Sequence, residues 1–511
     1  MAFIFIKYLA NFDLLNLIFV IQNLKTMNKG IRAIEPKIVW NHFADLNAVP
    51  RASKKEERVI EFVKNFGEQL NLETIVDAVG NIIIRKPATQ GFEQLKTVTL
   101  QSHIDMVHQK NSDSDFDFDT QGIEMYIDGD WVKANGTTLG ADNGMGVAAM
   151  MAVLSSSDIN HGPIECLFTI DEETGMTGAK GLQPNVLTGD YLINLDSEEE
   201  GEIYIGCAGG IDTSVDYKFS TEQVNDHKTF RLEVKGLKGG HSGGDIHLQL
   251  GNANIILTRL LWEAERNVNI RLVSFDGGGL RNAIPREANA VVNIPNDKVE
   301  AFEELFNAFA LKLKAEYKLS DAGLIFEMNA LDAEVTVLKL EDQKNIVASI
   351  IACPNGVHKM SESVDGLVET SNNLARVLIK DGKFTLYALQ RSSVESLKWD
   401  IAWKVAACFE LIGAEVKHSG DYPGWEPLME SEIKSVMEKK HVEVFGYDAK
   451  IMAIHAGLEC GLLGQHYPKM EMISVGPTIH GAHSPDERCK ISTVVNFWNF
   501  LKVSLEAIPT K

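Results

Sequence analysis

His103, Asp142, Glu173, Asp196 and His483 are five side chains of metal-ligating type. Most of them follow directly on a short apolar run that reads as a buried strand. Imidazole and carboxylate together suit zinc or a similar borderline cation better than calcium or magnesium. Two ions about 3.5–4 Å apart normally need a bridging ligand and can share a hydroxide nucleophile. A carboxylate bridges well because it has two oxygens. Five ligands for two ions leave open positions for water and substrate, so the layout is that of a two-metal hydrolase. Glu172, beside Glu173, adds an acid that could act as general base.

Each residue alone has a plainer reading. His103 could be a hydrogen-bonded buried histidine, Asp142 a helix N-cap and Glu172 a surface acid. Asp196 precedes an acidic run at 197–200 that reads as a solvated loop. Asp105 stands two residues after His103 and in a strand would point the same way. It could hold the imidazole from behind or be a solvated turn residue. The common order and the strand-end positions favour the metal site.

The surrounding pattern predicts the elements that carry these residues. Ser53-Lys54-Lys55-Glu56 is a capping-box pattern, followed by Val59, Ile60, Phe62, Val63 and Phe66 at helical spacing. Residues 81–85, 98–101, 164–170 and 191–195 read as strands. The last three end at Ser102-His103, Asp171-Glu172-Glu173 and Asp196. The small, apolar run 145–154 after Asp142-Asn143-Gly144 reads as a tightly packed helix. Strands alternating with helices predict an α/β domain with a mostly parallel sheet. In such sheets ligands gather beyond the carboxyl ends of the strands. Residues 472–475 form another strand, with His483 in the loop that follows. The N- and C-terminal segments therefore share one sheet around an inserted domain. The junctions fall near 206–210 and 422–427, and between them 230–234 and 299–314 read as strand and helix of an α+β domain.

A chain of 511 residues exceeds one ordinary domain, and 45% hydrophobic with 23% charged residues is a globular composition. The formal charge of -22, from 71 acidic against 49 basic residues, argues against nucleic acid and anionic membranes as partners. No basic patch offsets it, because Lys439-Lys440 is short and follows Glu438. Cys166, Cys207, Cys353, Cys408, Cys460 and Cys489 are scattered without a CxxC pair, which fits reduced thiols and a cytoplasmic location. Residues 1–26 are apolar but interrupted by Lys7, Asn11, Asp13 and Asn16, short of the roughly 20 residues of a spanning helix. They also lack a clear cleavage site. A weak signal anchor is one reading; the plainer one is an upstream extension, with Met27 as the true start.

The stretches SHIDMVHQK, GTTLGADNGMG, EETGM, NLDSEEEGEIYIGCAGGID, KGLKGGHSGGDIH, RNAIPREA, YPGWEP, HAGLECG and GPTIHGAHSPDE resemble the aminoacyl-histidine dipeptidases. These Xaa-His dipeptidases of the bacterial carnosinase type are di-zinc exopeptidases related to aminoacylase and carboxypeptidase G. The resemblance runs from about Pro36 to the C-terminus. It implies a di-zinc peptidase domain at 27–208 and 423–511 and an inserted α+β lid domain at 209–422. His103 and Asp196 would bind one zinc, Glu173 and His483 the other, and Asp142 would bridge them, with a cis peptide to Asn143. His483, directly before Ser-Pro-Asp-Glu, matches the family ligand; His480 is then an exposed loop residue. Asp105 would orient His103, and Glu172 would be the general base.

In the lid, which would move to close the site, His241 of Gly239-Gly240-His241-Ser242-Gly243 would polarise the scissile carbonyl. Asn282 and Arg391 resemble substrate-contacting positions; arginine suits a dipeptide carboxylate, though Arg391 could equally form a surface ion pair. Glu459 could meet the substrate amine or be a buried hydrogen-bonded acid. The resemblance thus implies hydrolysis of unblocked dipeptides, Xaa-His and β-Ala-His among them. It also implies two Zn2+ per chain, with Co2+ or Mn2+ as substitutes, and leaves a homodimer open. An N-acyl-amino-acid amidohydrolase of the same clan and a catalytically silent peptide-binding relative stay open as alternatives.

Overall fold

A computed structural model describes residues 28–333 and 335–511. The expectations for residues 1–26 and for Met27 lie outside the described residues. Among the described residues, no helix is long and apolar enough to cross a membrane. The chain divides into two compact units. The first holds the chain up to Ile205 with Leu428–Met452 and Leu462–Lys511, and the second holds Gly206–Pro427 with Ala453–Gly461. The second unit thus begins at Gly206 and takes back a short stretch that the sequence reading left with the metal domain. The reason is local. Ala208 N–H donates to the carbonyls of Ile454 and Ala456, and Ser371 Oγ lies 2.7 Å from His455 Nε2.

The first unit is built on helices α1 (Lys37–Leu46), α2 (Glu57–Gln69) and α3 (Ala141–Ser155). Its strands include β1 (Glu73–Val76), β2 (Ile82–Lys86), β3 (Val98–His103), β4 (Met125–Asp128), β5 (Trp131–Ala134), β6 (Ile164–Thr169), β7 (Tyr191–Asn194) and β8 (Glu202–Cys207). The central sheet runs β1-β2-β6-β3-β7, then Glu471–Ser474, β8 and Lys450–Ile454. Its middle is parallel: β3 pairs with β6 and β7, and β7 with Glu471–Ser474. Its flanks turn antiparallel at β1-β2, β2-β6 and β8. Every residue of β3 and β6 is buried, as expected of strands covered on both faces.

Helix α3 lies in the core, buried from Asn143 to Leu154. Gly146 lets it approach the strand ends, because a Cβ there would run into Asn143 Oδ1, Ser102 Oγ and the Leu195 carbonyl. The capping box expected before α2 does not form. Glu56 is the residue at the helix end, no side chain caps it, and the Ser53 hydroxyl goes instead to Asp105 Oδ2 at 2.8 Å.

The second unit carries an antiparallel sheet in the order Ile325–Leu331, His227–Lys235, Ala288–Pro295, Arg271–Gly278, Val368–Lys380, Lys383–Ser392, Gly209–Lys218, Glu415–Tyr422. Helices Ala253–Val268, Val299–Glu316, Leu340–Ala352 and Glu395–Glu410 contribute to its core through residues such as Leu257, Phe302, Ile346 and Phe409. Strands with helices in this pattern are an α+β arrangement.

Candidate metal centre

Parallel pairing brings the strand ends that carry the candidate ligands side by side. His103 is in register with Thr169, Gln101 with Asn194, and Asn194 with Ser474. The loops that follow carry Glu172-Glu173, Asp196 and His483 beyond the same end of the sheet. His103 Nε2 lies 3.2 Å from Asp142 Oδ1 and 3.4 Å from Asp196 Oδ1. His483 Nε2 lies 3.2 Å from Asp142 Oδ2 and 3.0 Å from Glu173 Oε2. Asp142 therefore turns one oxygen toward each histidine, and its peptide bond to Asn143 is cis.

The donors fit a metal. Two ligand atoms each about 2.0–2.2 Å from a tetrahedral ion stand roughly 3.3–3.6 Å apart, close to the separations observed. Donor atoms of His103, Asp142 and Asp196 lie within 4.8 Å of one another, and so do those of Asp142, Glu173 and His483. Glu173 Oε1 is buried without a hydrogen-bond partner, a costly arrangement unless a cation faces it.

The electrostatics point the same way. Burial disfavours the imidazolium of His103, but Asp196, Asp105 and Asp142 outweigh it and raise its pKa well above the ordinary value. Asp142 and Glu173 hold His483 up to about 11. Burial works against the Asp142 carboxylate, yet His103 and His483 pull its pKa down. Burial raises Asp196 to about 6, with the neighbouring Asp142 and Glu173 adding to it. Crowded carboxylates thus favour the protonated form of both imidazoles. A divalent cation would displace those protons and supply the same charge compensation.

Asp105 orients more than its histidine. Its Oδ1 lies 3.4 Å from His103 Nδ1, and it accepts N–H bonds from Glu172 at 3.1 Å and Glu173 at 3.3 Å. Burial opposes its charge, but His103, Ser53 and the Glu172 N–H hold its pKa below the ordinary value. The donor atoms of Glu172 group with those of His103 and Glu173. Asp171, at φ 54°, starts this turn, anchored by Lys54 Nζ and by the hydroxyls of Thr174 and Thr177. His480 stays out of the cluster: it is exposed, 3.5 Å from Glu199, with its ring 5.2 Å from that of Trp131.

Ser53 and Glu198 escaped the sequence reading. Burial pushes Glu198 up to about 9, followed by the charges of Asp142 and Asp196. It stands in the run read as a solvated loop. The available signal was its place two residues after the candidate ligand Asp196, beside Ser197, whose hydroxyl lies 2.7 Å from that of Ser474.

The remaining expected residues fall in the second unit. His241 Nδ1 accepts the N–H of Gly244 at 2.9 Å and of Gly243 at 3.3 Å. A neutral imidazole that accepts at Nδ1 carries its proton on Nε2, where it can donate. Arg391 is buried rather than a surface ion pair. Its Nη1 donates to Tyr422 Oη at 2.8 Å, while Nε is buried without a partner. His241 and Arg391 converge on Gly243, where a Cβ would sit 3.2 Å from Arg391 Nε and 3.2 Å from His241 Cε1. Burial and Arg391 hold His455, beside them, down to about 3, so it stays neutral. Asn282 is exposed, and its carbonyl accepts the Ser242 N–H at 2.8 Å. Glu459 is 0% exposed at the start of helix Glu459–His466.

The sequence profile of peptidase family M20/M25/M40 matches residues 99–507. The chain is 44% identical over 479 residues to the cytosol non-specific dipeptidase of Escherichia coli K12, across 94% of this chain and 99% of that protein. The crystal structure of aminoacylhistidine dipeptidase from Vibrio alginolyticus superposes with a TM-score of 0.88 at 45% identity, covering 94% of this chain and 98% of that one. Aminopeptidase PepT of Bacillus cereus, at 16% identity and a TM-score of 0.54 over 93% of this chain and 99% of that one, shares the fold.

Proposed function

Since the chain belongs to peptidase family M20/M25/M40, a metal-dependent hydrolase family, we propose that it is a di-zinc dipeptidase acting on unblocked dipeptides, Xaa-His and β-Ala-His among them. The observation that carries this reading is Asp142, which turns one carboxylate oxygen toward His103 and the other toward His483. His103 and Asp196 would hold one ion, Glu173 and His483 the other, and Asp142 both. Co2+ or Mn2+ could take the place of Zn2+. Ions so held would supply Lewis acidity to the scissile carbonyl and would lower the pKa of an attacking water.

The chain's own groups do the rest. Glu172 takes the water's proton and returns it to the leaving amine. Asp105 sets the direction of Glu172 through its backbone N–H and that of His103 through its ring. His241 donates from Nε2 to the carbonyl oxygen as negative charge develops there. Arg391 meets the substrate carboxylate, and Asn282 contacts the substrate. Six free cysteines, five of them buried, support a cytoplasmic location.

The test is a panel of dipeptides, including β-Ala-His, set against N-acetyl amino acids, with zinc-loaded protein. Hydrolysis of the free dipeptides is expected. Preference for the acylated compounds would make the protein an amidohydrolase, and hydrolysis of neither would leave a peptide-binding protein.

A further inference from the structure

Glu487 lies in the loop after His483 and is 2% exposed. Its Oε2 accepts the N–H of Leu139 at 2.8 Å and of Gly140 at 2.9 Å; its Oε1 accepts those of Ala141 at 2.7 Å and Asp142 at 3.2 Å. One carboxylate thus gathers four consecutive backbone donors, ending on the bridging residue itself. The turn needs glycine at 140. Its φ is 69°, and a Cβ there would sit 2.5 Å from Arg51 Nη2 and 2.8 Å from Met106 Sδ.

Arg51 works from the other side of this turn. Its Nη2 donates to the Gly140 carbonyl, and its Nη1 to the carbonyls of Ile104 at 3.1 Å and Asp105 at 2.9 Å. The segments bearing His103, Asp142 and His483 are therefore joined by two buried charged side chains, neither of which is a ligand. A lone buried carboxylate is expensive, and four N–H donors are what make this one tolerable.

We propose that Glu487 is the positioning residue of the metal centre: by holding the N–H groups of residues 139–142 it fixes how Asp142 divides its two oxygens between His103 and His483. The proposal rests on reading the cluster as a two-ion centre and not on which peptide is cleaved. Glutamine at 487 would turn an NH2 group toward N–H groups that need an acceptor, so the turn would re-aim Asp142.

The experiment is Co2+ titration of the full chain, stripped of metal, followed by visible absorption and calorimetry. Glu487→Gln is expected to keep the native circular dichroism. It should bind at least one of two Co2+ ions about tenfold or more weakly, within the 10–100-fold usual for groups that orient ligands. Its absorption bands should differ from the wild-type ones, and Glu487→Asp should restore part of the affinity. Wild-type affinity and bands in a folded Glu487→Gln chain would overturn the proposal. Should Glu487→Gln not fold, Glu487→Asp decides: weakened Co2+ binding supports the proposal and unchanged binding overturns it. If neither variant folds, Glu487 is a folding element and the positioning role is rejected. The readout is metal binding, so failure of the dipeptidase reading would leave it untouched.

Discussion

Ser53 gives its hydroxyl to Asp105, and Asp105 passes the constraint to His103 and to the N–H groups of Glu172 and Glu173. Ser53→Ala should therefore lower kcat/KM by about tenfold, the lower end of what an outer partner of a metal ligand contributes. The loss should fall on kcat rather than KM; steady-state kinetics with unchanged kcat would detach Ser53 from the chemistry. Glu172→Gln keeps the size of the side chain and removes the base. It should retain both metals by elemental analysis while turnover falls about 10²–10⁴-fold, and near-normal kcat would assign the base elsewhere. His241→Ala should cost about 10²–10³-fold in kcat, the usual effect of one donor to a developing oxyanion, with metal content unchanged. An unaffected kcat would remove His241 from the reaction. The five proposed ligands were legible as a group because strand ends concentrate them, and the structure brings their side chains together. Ser53 was not, since its partner is 52 positions away and its own neighbours spell a helix start instead.

Elements were read best where burial is complete. The fully buried runs of β3 and β6 carried the strand signal, and they stop within a residue or two of the expected ends. The start of α2 was misread because Ser53 and Glu56 have capping identities but are engaged elsewhere, Ser53 by Asp105 and Glu56 by the Lys54 N–H. Between α1 and α3, His42 Nε2 lies 3.0 Å from Ser155 Oγ, and its ring meets Phe66 edge-on at 5.3 Å. Burial holds the His42 pKa down to about 4 from an ordinary 6.5. Between those values the unfolded chain binds more protons than the folded one. Stability is therefore fully present above pH 6.5 and is lost as pH falls toward 4. At pH 5 the loss from this residue should be about 1–2 kcal/mol. Urea unfolding of metal-free protein at pH 7.5 and pH 5 should show a smaller acid loss in His42→Gln than in wild type. Equal losses in the two proteins would mean that His42 is protonated in both states.

Each unit has a hydrophobic core of its own. One gathers residues such as Trp40, Phe43, Met150 and Phe497, and the other Leu257, Phe302, Phe384 and Phe409. All five proposed ligands belong to the first unit. A bound ion stabilises the state that binds it, so chelation should act on one unit alone. Scanning calorimetry with and without EDTA should show two transitions, of which only one shifts down; a single transition that shifts as a whole would mean that the units melt together. The sheet of the first unit also sets an order of events during synthesis. Strand Glu471–Ser474 pairs with β7, and the Ser474 hydroxyl bonds to Asn194, 280 residues earlier. At about 5–20 residues per second, the ribosome needs roughly 15–60 s to deliver the partner of β7. His483 and Glu487 emerge later still. The nascent first unit therefore waits with an open sheet edge and without two of the side chains that gather around the Asp142 turn, and metal loading that needs them would follow translation.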